Sequence, residues 1–444
     1  MKARAVPDRL VSIDQRSLDS VAALNAEYVA ESGRRGKRAN LAFHDLSSMD
    51  LAGRDLSLAD LTGANLSDAA LTGTRLSGAL LPAAILRLAH LDSADLSNAD
   101  MRGCSLHGAQ VTRANLRGAD LGEGPRLKIS AHGELTFLAA PDKPVELIAA
   151  NFSQTDLSGA AISGGLAMQA NLEDARLCKA NLAGVNFRGA KLDGADLEDA
   201  DLAGADLTGA SMLGAMLTGA KLAGVILQDA DLQGAVIDRS AIGASSGVKN
   251  LSERKKPNAD VLVRLLNAHR LWIASNGRKG ARLELQNSDL SDSDLADLDL
   301  SGGRLINCDL SRANLARGKL RLTDLSLSDL KHAVLRGADM RAAILFRAYC
   351  RETDFSGTSF ASAVTGGGLE KAINANLQKS HFRKANFNKC NLSSADLRGC
   401  NLEEANMTEV DLKGAKFQRA IVTPETYEQL IEAGGNLDGI QLRK

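Results

Sequence analysis

Aromatic side chains are scarce, at 3% of the 444 residues with one Trp and three Tyr. A core built almost without them has thin layers filled by small and medium side chains, here the abundant Leu, Ala and Gly, and that composition points to a repeat architecture. Net charge is nearly absent as well: 53 Lys and Arg stand against 54 Asp and Glu, leaving −1. The whole-chain balance therefore argues neither for a nucleic-acid binder nor for a strongly anionic mimic of one. No uninterrupted apolar run approaches the ~20 residues of a membrane span, and the opening MKARAVPDRLVSID lacks the apolar stretch of a signal peptide, so no membrane span and a cytoplasmic location are the expectations. The six Cys lack CxxC or His-partnered spacing. Buried thiols are the better reading than a metal or disulfide framework.

What is present is a five-residue beat. From Leu41 to Leu121 in steps of five, all 17 positions are Leu except Met101 and Val111. Neither a helix nor a flat strand keeps that period on one face. The residue two before each centre is most often Ala, the one before it Asp or Asn, and the two after favour Ser, Thr or Arg followed by Gly. A chain turning one corner per five residues points the centre and the small residue inward and the other three outward, with Gly easing the corner. Further runs go from Phe152 to Ile242, from Leu285 to Phe360 and from Leu377 to Val422, giving 62 centres in all. Five Cys (Cys104, Cys308, Cys350, Cys390, Cys400) take inward positions of this register.

Stretches such as ADLTGANLSDA and ADLEDADLAGADLTGA resemble the pentapeptide repeat family, whose motif is A-(D/N)-L-x-x. The resemblance implies an all-β solenoid, a right-handed quadrilateral β-helix with four pentapeptides per coil, and the expected scaffold needs no cofactor. An open coil end exposes leucines and unpaired backbone groups and has to be covered. Before the first run, Leu18, Val21, Leu24 and Tyr28 fall at helical spacing, with Ser17 as N-cap and Gly33 as the stop. Before the third, Leu262, Leu265, Leu266, His269, Trp272 and Ile273 share one face after an Asn258 N-cap. Both helices lead into a near-identical phrase, GRRGKR from Gly33 and GRKGAR from Gly277, read as a cap-and-turn module used twice. Thr423, Pro424 and Gly434 bound a third helix carrying Tyr427, and Leu437 and Leu442 offer last rungs. The expected layout is a cap at 1–38, a coil at 39–248 with an ejected hairpin loop at 122–150, a second cap at 249–283, a second coil at 284–422 interrupted at 361–375, and a C-terminal cap at 423–444.

Candidate chemistry is sparse. The triple glycine Gly366–Gly368 lacks the Lys-Ser/Thr ending of a phosphate loop, and the histidines assemble no triad or ligand set. Two charge clusters stand out. Arg34, Arg35, Lys37 and Arg38 form a basic turn, echoed by Arg278, Lys279 and Arg282. Asp193, Asp196, Glu198, Asp199 and Asp201 make the most acidic surface, within a segment (150–242) that holds 12 acidic and 6 basic residues. Some members of the family protect DNA gyrase by imitating the anionic duplex, and this patch is the feature that resemblance would use. The leading expectation is a non-enzymatic scaffold that binds a protein partner, with recognition on the two loops and the charged columns. A DNA-mimic modulator of gyrase is the alternative, and direct nucleic-acid binding is not expected.

Overall fold

The computed structural model describes residues 6–130, 132–237, 254–365 and 371–443. It divides into two compact units, Met1–Asn250 and Leu251–Lys444. Gly366–Gly368, Ile242 and residues 243–253 at the start of the expected second cap lie outside the described residues.

In both units the chain winds into a parallel β solenoid. Short bridges join residues 20 apart, as in Asn40 with Asp60 and Asp289 with Asp309, and a turn follows each centre, so a coil has four sides. Most turns close with a bond from the residue three after the centre to the centre's carbonyl, as in His44 N–H to Leu41 O at 3.2 Å. The third turn residue has positive φ, as at Phe43 (57°), Gly63 (60°) and Ala83 (61°). With a left-handed residue only there, these are type II corners, which is why Gly recurs two residues after the centre.

The motif's other letters have physical causes as well. The Asp or Asn before each centre accepts a hydrogen bond from the backbone two residues on, as Asp45 Oδ1 does from Ser47 N–H at 3.2 Å, an Asx turn that satisfies a corner donor. Ser47 adds its hydroxyl to the same oxygen at 2.7 Å, which explains the Ser/Thr preference. Where Asn sits below Asp, its amide also donates upward, Asn65 Nδ2 to Asp45 Oδ1 at 2.9 Å. Every centre from Leu41 to Leu121 and from Leu285 to Phe360 is buried. Polar residues in the small inward position donate to a carbonyl of the previous coil: Thr74 to Leu51 at 2.8 Å, Cys104 to Leu81 at 2.9 Å and Cys400 to Leu377 at 2.9 Å. The five inward thiols are thus buried and free. In the second unit, two coils replace Leu with Phe355, Phe360, Phe382 and Phe387, which stack with Phe355 and Phe387 centroids 5.1 Å apart.

Two insertions break the count, and the first differs from expectation. Bridges step by 41 residues at Ser105 to Glu146 instead of 20, so the coil resumes at Leu147, buried and in register, one centre before Phe152. The inserted segment is a hairpin of Gly124–Ile129 paired antiparallel with Leu135–Lys143. It is not ejected. It lies along the corner column Phe43, Gly63, Ala83, Gly103, and Leu127 is buried with Phe43, Ala42 and Ala83. Arg126 anchors its base on Glu146 at 2.6 Å and on the Pro144 carbonyl at 2.6 Å. Small residues make the approach feasible, since a Cβ on Gly103 would sit 2.0 Å from the Pro125 carbonyl oxygen. At the second insertion the step is 32 residues, from Ile344 to Asn376, with Ala363–Thr365 paired to Lys371–Ile373.

The helices α1 (Gln15–Ala30), α2 (Ala259–Ala274) and α3 (Pro424–Glu432) meet the ends of coils. The N-cap of α1 is Asp14, whose side chain accepts from Ser17 N–H at 2.7 Å; Ser17 is already inside the helix. Its inward stripe is Leu18, Ala22 and Asn25, and Leu24 is 45% exposed, because a face four residues apart covers the narrow coil end better than the spacing read from apolar residues alone. Asn258 and Thr423 are the N-caps of α2 and α3. In α3, Gln429 accepts the Met407 N–H at 2.7 Å and Thr426 donates to the Ala405 carbonyl at 3.1 Å. Beyond α3, Gln441–Leu442 pairs parallel with Ile421–Val422 as one more rung. Leu437 packs on the core, but Leu442 is 45% exposed.

Candidate interaction surface

The doubled basic phrase superposes at a spacing of 244 residues, and its members do structural work. Gly36 and Gly280 have positive φ, and a Cβ there would lie 2.3 Å and 2.1 Å from the carbonyls of Leu24 and Ala268. Lys37 and Ala281 donate their N–H groups to those same carbonyls at 2.9 Å and 3.1 Å. Arg38 and Arg282 turn back and donate Nε to the carbonyls of Leu58 and Gly302, corner residues of the coil below. Arg34, Arg35 and Lys37 are exposed. Tyr28 lies against Gly33, and Trp272 against Gly277 and Gly302. Tyr427 is half-buried against the core of the second unit.

One buried residue of α1 that the sequence reading did not single out joins the helix to the first coil. Asn25 is fully buried; its Nδ2 donates to the carbonyls of Asp55 and Ser57 at 3.1 Å and 3.0 Å, and its Oδ1 accepts from Ala39 N–H at 2.8 Å. The signal that could have found it is the spacing itself, since Asn25 aligns with His269, and Asp14 with the N-cap Asn258. The shared LNA word misleads because its two copies are out of step with that spacing by two residues.

The five acids of the second run are not one anionic surface. Asp196 and Glu198 are buried, and Asp196 accepts from the Glu198 N–H at 3.2 Å. Asp193 accepts from the Ser211 hydroxyl and from Leu213 N–H at 3.0 Å. Asp201 pairs with Lys221 at 3.0 Å, and that bond holds its carboxyl below the usual range. Asp199 is the exposed member, resting over Gly219.

In the second unit, opposite charges stack down the corner columns. One column pairs Asp292 with Arg312 at 2.6 Å and Lys384 with Glu404 at 3.5 Å, and between them His332 Nδ1 lies 3.3 Å from the Glu352 carboxylate. The next pairs Asp297 with Arg317 at 2.6 Å and Lys389 with Glu409 at 3.8 Å. The column Asp289, Asp309, Asp329 stacks like with like, and burial, then Asp309, pushes the Asp329 carboxyl up to about 6. Among the described residues no group of His, Cys, Asp and Glu comes together as a metal site, and no helix is long and apolar enough to cross a membrane.

Coils of four pentapeptides, Asx-turned corners and inward Leu and Ala define a pentapeptide-repeat solenoid. Eight copies of pentapeptide repeats match the chain, at 39–78, 84–122, 170–209, 195–234, 288–326, 323–361, 371–403 and 385–423, and the chain belongs to that family. Among solved structures it is similar to HetL, a pentapeptide repeat protein involved in heterocyst differentiation regulation from the cyanobacterium Nostoc sp. strain PCC 7120. The identity is 30% over 49% of this chain and 97% of that one, with a TM-score of 0.33. It is also similar to QnrB1, a plasmid-mediated fluoroquinolone resistance protein, at 23% identity over 44% of this chain and 83% of that one, TM-score 0.22. No curated protein sequence matches.

Proposed function

We propose that this chain is a non-enzymatic scaffold that binds a protein partner in the cytoplasm. In this reading two right-handed four-sided coils, at 39–248 and 284–422, are each closed by a helix-and-turn cap, at 1–38 and 249–283, and the segment 423–444 closes the last. The coils are stiff because each interior rung is tied above and below, which suits them to hold surface groups at fixed spacing. The observation that supports the reading most is the alternation of charge down the corner columns, with Asp292 on Arg312 and Asp297 on Arg317. Such a surface offers paired, directional contacts instead of the continuous negative potential that a DNA-binding groove selects for.

The test has two arms on the full-length protein. In the first, a crosslinked host partner is mapped, and Arg312→Glu with Lys384→Glu is introduced; the scaffold reading expects partner capture to fall while the wild-type far-UV spectrum is kept. In the second, gyrase supercoiling is titrated with the protein. A dose-dependent effect abolished by Asp193→Asn, Asp196→Asn, Glu198→Gln, Asp199→Asn and Asp201→Asn together would replace the scaffold by the DNA-mimic reading.

A further inference from the structure

Asn25 and His269 hold the same place on the two cap helices but hold it by different chemistry. In the first unit a side-chain amide accepts the N–H of Ala39 at 2.8 Å. In the second an imidazole accepts the N–H of the equivalent residue, Leu283, on Nδ1 at 3.0 Å. Because Leu283 N–H can only donate, Nδ1 carries no proton and the proton of the neutral ring is on Nε2.

We propose that His269 is a proton-operated latch on the second unit: protonation releases α2 and its turn from Leu283 and frees the leading edge of that coil, while the first unit, latched by Asn25, ignores the same change of pH. An imidazolium has two donors and no acceptor, so Nδ1–H would face the Leu283 N–H and the bond would be lost. An amide does not titrate in this range.

The surroundings favour the neutral ring. His269 is fully buried and its Nε2 lacks a well-formed hydrogen bond. From α2, Trp272 stacks on it with centroids 5.5 Å apart and planes 14° apart. From the opening turns of its own coil the Leu300 carbonyl and Asp299 draw a proton toward it, and from the turn Arg282 repels one; burial outweighs these and holds its pKa below the ordinary value. The sign follows. A group whose folded pKa is depressed gives stability that is fully present above its unfolded value, about 6.5, and is lost as pH falls from there toward the folded value. The opening equilibrium then rises by at most about tenfold per pH unit.

Trp272 is the one Trp of the chain, so its fluorescence reads the latch directly: a stacked imidazolium quenches an indole, and release from the stack shifts its emission. Full-length protein is titrated from about pH 7.5 to about pH 5 while Trp fluorescence and amide exchange are followed. The expected result is one fluorescence transition with a midpoint below about 6.5, accompanied by a falling protection factor at Leu283, that is, exchange relative to the intrinsic rate at each pH, with no change in the protection factor of Ala39. His269→Asn installs the amide of the first unit and is expected to remove the transition; Asn25→His is expected to make Ala39 exchange acid-sensitive. An unmodified protein with flat fluorescence, equal acid response of Leu283 and Ala39, or a transition that survives in His269→Asn would each overturn the latch.

Discussion

Arg9 and Glu134 pair backbone to backbone in an antiparallel bridge, and Leu135 donates its N–H to the Asp8 carbonyl at 2.9 Å. The inserted hairpin therefore runs back along the first unit to the segment that precedes α1. That segment in turn lies on the first coil through the parallel pairing of Val11–Ser12 with His44–Asp45. A strap so placed ties the coil where the insertion leaves to the coil where the winding begins.

Leu127→Asp places a charge among Phe43, Ala42 and Ala83 without a partner, and is expected to cost about 2–4 kcal/mol. Amide exchange should quicken at Val11 and Leu135 ahead of the coil interior. Unchanged exchange at both would mean that the strap contributes nothing to holding the N-terminal segment.

Gly103 and Gly204 isolate the strap's steric demand. Both have positive φ, but a Cβ on Gly103 meets the Pro125 carbonyl oxygen, whereas one on Gly204 meets nothing within 4 Å. Each Ala substitution carries the left-handed penalty of ~1 kcal/mol, so Gly103→Ala is expected to lower stability by clearly more than Gly204→Ala. Equal shifts of the unfolding midpoint would contradict the observed seat of the hairpin.

Leu202 and Asp201 test the inside and the outside of the register. Leu202→Asp buries an unpaired carboxylate in the stack and is expected to cost several kcal/mol, whereas Asp201→Asn keeps the acceptor for Ala203 N–H and should cost no more than ~0.5 kcal/mol. Thermal unfolding ranks the two.

Asp329 gives a pH prediction of the opposite sign to His269. Its carboxyl is raised to about 6 in the folded chain by burial and by Asp309. A raised carboxyl favours the protonated folded form, so its charge weighs against folding at neutral pH, and this is relieved as pH falls through about 6 toward its ordinary value. Asp329→Asn keeps an oxygen for the Lys331 N–H, now bonded at 2.9 Å. It is expected to stabilise the second unit near pH 7.5 by on the order of 1–2 kcal/mol, with the gain fading toward pH 4. A destabilised variant at neutral pH would show that the charge is needed.

The five-residue register, with its inward Leu and Ala and its outward Asp and Asn, was legible because each is a local periodic demand. A corner every five residues requires an acceptor, a small residue and a left-handed position at constant offsets, and a repeated demand writes itself many times. Asn258 and Thr423 could be read as N-caps for the same reason, since capping is settled within one turn of helix. Asp14, the cap of α1, had to be seen, because Ser17 satisfies the same local pattern.

What only the tertiary structure decided lies across coils. That Leu127 would fold down on Phe43 and Ala83 depends on a column of small residues spaced by one coil, and on a hairpin long enough to reach it. Nothing in the hairpin's own residues marks whether it projects or lies flat. The acids at 193–201 read as one patch along the chain, yet Asp196 is buried, Asp201 meets Lys221 and Asp193 meets Ser211. Each partner is roughly a coil away, and stacking, not chain neighbourhood, sets the field. The 244-residue spacing aligns Asn25 with His269, but only the structure shows that both receive a backbone N–H from the first rung. An open coil end presents the same unpaired groups in both units, and any buried side chain with an acceptor at the right height can answer them.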